Sequence, residues 1–104
     1  MVRASRRYVG KATGYMKGKG TVYVLVNAKG RYYVGSTNDL QRRIKEHNLG
    51  NTKFTREQGP WRLAFHQYYN TLPQARKVER TIKRLKRKDI IERIIREGRI
   101  KLGG

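Results

Sequence analysis

The stretch Thr21-Val22-Tyr23-Val24-Leu25-Val26 constrains this chain more than any other. Val22 to Val26 is its longest uninterrupted apolar run, and β-branched and aromatic residues of this kind suit a pleated, packed surface. Asn27-Ala28-Lys29-Gly30 follows, and then Arg31-Tyr32-Tyr33-Val34-Gly35 repeats the composition. Two such runs around a glycine-containing turn predict a β-hairpin. The run is far shorter than the roughly 18 apolar residues of a membrane span, and the N-terminus carries no signal-type apolar segment. A cytoplasmic protein is expected, nucleoid association being compatible with its charge.

The rest of the chain supplies what the hairpin must pack against. Asn38 with Gln41 three residues later reads as a capping-box start, and Leu40 and Ile44 carry a helix to about Asn48, stopped near Gly50. Residues 50–60 read as a loop. Trp61 to Tyr69 alternates as a third strand, with Trp61, Leu63 and Phe65 expected on one side. Thr71, Pro73 and Gln74 combine a cap, an early proline and a capping-box partner, and Ala75, Val78, Ile82 and Leu85 give the helix that follows its apolar stripe. A last helix around Ile90, Ile91, Ile94 and Ile95 ends at Gly98. Strand, strand, helix, strand, helix, helix predicts an α+β fold, a small three-stranded, mainly antiparallel sheet flanked by helices. At 104 residues one domain is expected, over residues 21–98. Residues 1–20 read as a flexible basic arm and 99–104 as a tail. Tyr8 and Tyr15 among the arm's cations suit stacking on unpaired bases.

Charge points to the partner. Lys and Arg number 26 against 7 Asp and Glu, a formal net charge of +19, so a polyanion is the default expectation. Lys83, Arg84, Lys86, Arg87 and Lys88 suit contact with a nucleic-acid backbone, although any single one also reads as a solvated cation. With no cysteine, disulfide frameworks, cysteine-ligated zinc and a cysteine nucleophile are all excluded.

Several polar residues fall on apolar faces. Leu40, Arg43, Ile44 and His47 are spaced i, i+3, i+4, i+7 and so share one side of their helix. An unpaired guanidinium buried there would cost several kcal/mol, so Arg43 requires a cleft or a carboxylate partner; His47 sits either on that face or in solvent at the helix end. Glu79 shares the stripe of Ala75, Val78 and Ile82, or else forms a solvated pair with Arg76 or Lys83. A metal, a phosphate and a water would account for Arg43, His47 and Glu79 together. Tyr23 and Tyr33 alone read as packing residues. Gly35 at a strand end marks a bulge or a close backbone approach.

In their order and spacing these residues resemble the GIY-YIG nuclease family, in particular its small stand-alone members. Thr21-Val22-Tyr23 stands at the first tripeptide, threonine replacing glycine, and Tyr33-Val34-Gly35 at the second. Arg43 and His47 match the family's Arg-x-x-x-His helix, and Glu79 its metal-binding glutamate. Some branches add an asparagine near the domain's end; here nothing after Asn70 is asparagine. The resemblance implies an endonuclease that hydrolyses phosphodiesters with one divalent cation, Mg2+ or Mn2+, bound by Glu79. Arg43 would hold the scissile phosphate bidentately and Tyr33 position water or phosphate. Either Tyr23 or His47 serves as the immediate base. The expected substrate is DNA ahead of RNA, selected by structure rather than sequence, in repair or nucleic-acid processing; a protein partner is compatible with so small a domain. The alternative is a non-catalytic basic nucleic-acid-binding module, which explains the charge but not Glu79, Arg43 and His47 together.

Overall fold

A computed structural model describes residues 19–50 and 58–101; residues 1–18 of the expected basic arm, most of the loop after Gly50 and the last three residues of the expected tail lie outside the described residues. Its elements are β1 (Gly20–Asn27), β2 (Tyr32–Thr37), α1 (Leu40–Asn48), β3 (Trp61–Tyr69), α2 (Leu72–Leu85) and α3 (Lys88–Glu97). The sheet is antiparallel with order β2-β1-β3, so the apolar run is the central strand, and it is buried along its whole length. Among the described residues β2 pairs only with β1, its other edge open.

The hairpin turn follows from two residues. Gly30 takes φ +81°, which a side chain disfavours. The Asn27 carboxamide oxygen accepts from the Lys29 and Arg31 amides at 3.0 and 2.9 Å, and its Nδ2 donates to the Gln58 carbonyl at 2.9 Å. One side chain thus ties the turn to the chain entering β3.

Strand periodicity splits the core in two. On one face Val22, Val24 and Val34 pack with Phe65, Ala75, Ile82 and Ile94 beneath α2 and α3. On the other, Tyr23 and Leu25 pack with Leu40 and Trp61 beneath α1, with Tyr33, Ile44 and Leu63 at the margin. The expectation that Trp61, Leu63 and Phe65 share a side is corrected. Val24 pairs with Phe65 but Leu25 with Leu63, a bulge at Ala64, and the extra residue sends Phe65 to the opposite face.

Two helix details also differ from expectation. Asp39, not Asn38, caps α1, its carboxylate accepting from the Arg42 amide; Asn38 is left to meet Arg42 by its side chain. Leu85 is exposed because α2 ends there: Lys86 turns to φ +50° and closes the helix. The capping box of Thr71 with Gln74 forms as expected. Gly20, placed with the arm from sequence, is the first residue of β1. A Cβ there would lie 2.6 Å from the Thr71 carbonyl oxygen and 2.7 Å from Ala75 Cβ, so glycine lets the start of α2 press onto β1. At the far end Ile100 packs on the core and donates its amide to Gln67 Oε1. No described helix is long and apolar enough to cross a membrane.

Candidate active site

Tyr23 on β1 stands opposite Gly35 on β2. A Cβ on Gly35 would collide with Tyr23 Oη and Cζ, which means that the phenol lies over Gly35, across β2 and toward the open edge of the sheet. There Oη meets His47 Nε2 at 2.9 Å. Both side chains are almost wholly buried, each 1% exposed. α1 brings His47 to this point because Leu40, Ile44 and His47 share its inward face, which rules out the solvent-exposed alternative for this histidine. Tyr33 completes an aromatic cluster, its ring 4.8 Å from the His47 ring and 6.4 Å from that of Tyr23, with Trp61 beyond.

The environment sets the protonation of the pair. Burial depresses the His47 pKa to about 4, helped by the nearby Arg43 charge and opposed by Glu46, so the imidazole is neutral at pH 7. Burial, with the neighbouring Tyr33, holds the Tyr23 phenol well above its usual range, while a hydrogen bond from Arg43 and its charge pull the other way. The phenol is therefore protonated and the imidazole neutral, the two in hydrogen-bond contact beside a guanidinium.

Arg43 occupies the cleft margin, about one-third exposed, and has the carboxylate partner its position requires: its Nη1 lies 2.8 Å from Glu46 Oε1. Glu46 also pairs with Arg42 at 2.9 Å. The Arg43 guanidinium, its charge further stabilised by Glu46 and Tyr23, is partly exposed beside Tyr23, where an anion can reach it.

Glu79 approaches from the other face. It lies on α2 with its carboxylate mostly buried, 18% exposed. Ser36 Oγ donates to Oε1, while Lys83 Nζ lies 2.6 Å from Oε2. Ser36 pairs with Val22 and so sits on the α2 side of β2. Lys83 also reaches 5.3 Å from the Tyr33 ring centre, on the α1 side. The cluster therefore straddles the open edge of β2, with the tyrosines, Arg43 and His47 on one side and Ser36 and Glu79 on the other. The sequence-based pairing of Glu79 with Lys83 is present, with the lysine about half exposed and the carboxylate largely covered. Ser36 escapes sequence reasoning; its one signal is a two-residue step from Val34 onto the face that α2 covers.

Among the described residues no group of three or more His, Cys, Asp or Glu is arranged to hold a metal, which excludes a closed zinc-type site there. A hard, largely hydrated cation asks for less. Mg2+ commonly takes one or two carboxylates and completes its shell with water and phosphate oxygens, and the Glu79 carboxylate beside the Ser36 hydroxyl fits that oxygen donor set. Lys83 already holds a positive charge against Glu79.

A sequence profile of the GIY-YIG catalytic domain matches residues 19–93. The chain belongs to the GIY-YIG family. The match spans β1 through most of α3 and carries the family's nuclease-type fold. Among relatives, a UPF0213 protein of Halobacterium salinarum is 40% identical over 67 residues, 64% of this chain and 87% of its own. A UPF0213 protein of Clostridium perfringens is 36% identical over 74 residues, 70% and 80% of the two chains. The solution NMR structure of a UPF0213 protein from Bacillus halodurans superposes with a TM-score of 0.50 at 33% identity, covering 77% of this chain and 86% of that one. This GIY-YIG domain is thus similar to small proteins of its own size, and its three-stranded antiparallel sheet with helices is the α+β fold expected.

Proposed function

We propose that this GIY-YIG domain is a divalent-metal-dependent endonuclease, acting on DNA ahead of RNA in repair or nucleic-acid processing. The observation that carries the reading is the buried Tyr23 Oη to His47 Nε2 contact, 2.9 Å long, laid across Gly35 toward the Arg43 guanidinium. A phenol raised in pKa is a poor base alone, but it need not lose a proton without gaining one. As a water attacks phosphorus, its proton passes to Tyr23 Oη while the phenol's own proton passes to His47 Nε2. Tyr23 is then the group that touches the water and His47 the final acceptor, which is how we divide the role of base. Neutral imidazole at pH 7 is the form that can accept.

Arg43 donates to the phosphate and stabilises the charge that builds on its oxygens. Ser36 orients Glu79, and Tyr33 bounds the space in front of Tyr23. Glu79 would hold a divalent cation, Mg2+ or Mn2+, which would supply Lewis-acid charge for phosphoryl transfer. The surrounding cations contact the backbone, which carries no sequence information, so selection by strand structure is expected.

A second reading is favoured by one contact: Lys83 neutralises Glu79 at 2.6 Å, as a structural ion pair in a non-catalytic binding module would. Glu79→Gln separates the two. We expect Mg2+-dependent cleavage of labelled single-stranded, duplex, nicked or flapped DNA, tested against matching RNA, to vanish in the variant while binding persists. Binding without cleavage in both proteins would leave the binding module.

A further inference from the structure

Two cavities meet along the open edge of β2, sharing Tyr32, Val34 and Ile91. One, of about 500 Å3, opens onto Tyr33 and Lys83 of the candidate site; the other, of about 310 Å3, runs on to Ile82 and to Arg31, Lys86 and Lys88. Val34 and Ile82 on the floor are buried, and Ile91 packs against them half-buried. Among the described residues no carboxylate lines either cavity. Arg87 also lines the second, but its guanidinium is engaged by Asp89 at 2.7 Å. The Lys88 ammonium lies 5.6 Å over the Tyr32 ring.

We propose that this groove binds one unpaired nucleotide of the strand being cut, its base against Tyr32 and its neighbouring phosphates on Arg31, Lys86 and Lys88. The proposal rests on the nuclease reading, which brings the strand to the adjoining site. A surface that only tracked phosphates would need cations and no apolar floor; this groove has both, and an aromatic ring between them. Aromatic side chains hold successive bases by their faces, with little regard to sequence. A paired base within a duplex has both faces covered by its neighbours, so the occupant is unpaired. The larger cavity is in the size range of ordinary ligand sites and the smaller at its lower end. Lys88 over Tyr32 marks the ring face a cation already finds attractive; on entry of a nucleotide the ammonium transfers to phosphate and the base takes the ring.

A flapped duplex, whose junction fixes the register, tests this with the full chain carrying Glu79→Gln to prevent cutting. One abasic position is stepped through the flap while affinity is measured by fluorescence anisotropy. At one position the missing base should weaken binding about tenfold. The penalty should persist with Tyr32→Phe and vanish with Tyr32→Leu, which keeps apolar bulk but no ring. An equal penalty with and without the ring, or no sensitive position, overturns the proposal. Lys86→Gln with Lys88→Gln, both at exposed positions, provides a variant independent of the core. It should weaken intact and abasic flaps alike and lower the salt slope by about 1.4; an unchanged slope overturns the phosphate contacts. Because the cycle needs no cleavage, a chain that stacks a base but never cuts defeats only the nuclease reading. One that cuts without a Tyr32-dependent penalty defeats only the groove.

Discussion

At the scale of single residues, the site depends on an atom that is missing. Gly35 has no Cβ, and that space is where the Tyr23 ring crosses β2. Gly35→Ala must therefore move either strand or ring and take Oη away from His47. We expect cleavage to fall at least about 100-fold, the scale of lost general-base catalysis, and stability to fall by about 1–3 kcal/mol from overpacking. Cleavage assays paired with urea unfolding check both. His47 gives a pH signature. Between its ordinary value of 6.5 and about 4, the unfolded chain binds a proton that the native site refuses. Stability is complete above the unfolded value and is lost as pH falls through this window, by up to about 3 kcal/mol. Cleavage should likewise hold its rate from pH 7 down through 6.5 and fail only nearer 4 to 5. Unfolding curves and initial rates measured at matched pH values test this, and a break in rate near 6.5 would contradict the buried, neutral histidine.

At the scale of elements, the ends of α1 and α2 shape the site. Asn48 exchanges hydrogen bonds with the Trp61 backbone at 2.7 and 3.0 Å, so the end of α1, one residue beyond His47, is anchored to the start of β3. α2 ends at Lys86 in the left-handed region, φ +50°, a conformation that costs a side chain about 1–2 kcal/mol. Glycine is the usual residue there. Lys86→Gly should raise stability by about 1 kcal/mol, corresponding to about 4–8 °C in Tm for a domain of this size. The same change removes a cation from the groove beside β2, so it should weaken nucleic-acid binding while stabilising the fold. Thermal melts and binding titrations on one variant read both effects.

At the scale of the whole molecule, the site is built around the rim of a sheet. α1 contributes from one face and α2 from the other, and β2 is thin and unpaired enough at its outer edge for Lys83 to span both. Such a rim is open to a long polymer and lies next to most of the cationic groups named above. With Arg43, Arg31, Lys86 and Lys88 contacting phosphates, the logarithm of affinity for single strands should fall with the logarithm of salt concentration at a slope of about −3. The remaining positive charge of the chain steepens it. A slope near zero would show that the charge of +19 does not serve the proposed substrate.

Much of this was legible in one dimension. The strand at Thr21 to Val26, the hairpin, three helices and the capping box at Thr71 follow from local propensity and period, because each depends on neighbours a few residues away. The alignment of Arg43 and His47 on one helix face is likewise a matter of 3.6 residues per turn. Tertiary structure decided what distance along the chain conceals. The bulge at Ala64 reversed Phe65 against Trp61, since strand register depends on the partner strand and not on alternation alone. The fold also paired Glu79 with Ser36 across 43 residues, and seated a phenol on an imidazole 24 residues away. Those contacts arise when two faces of one sheet are closed by different helices, and no window of sequence contains both.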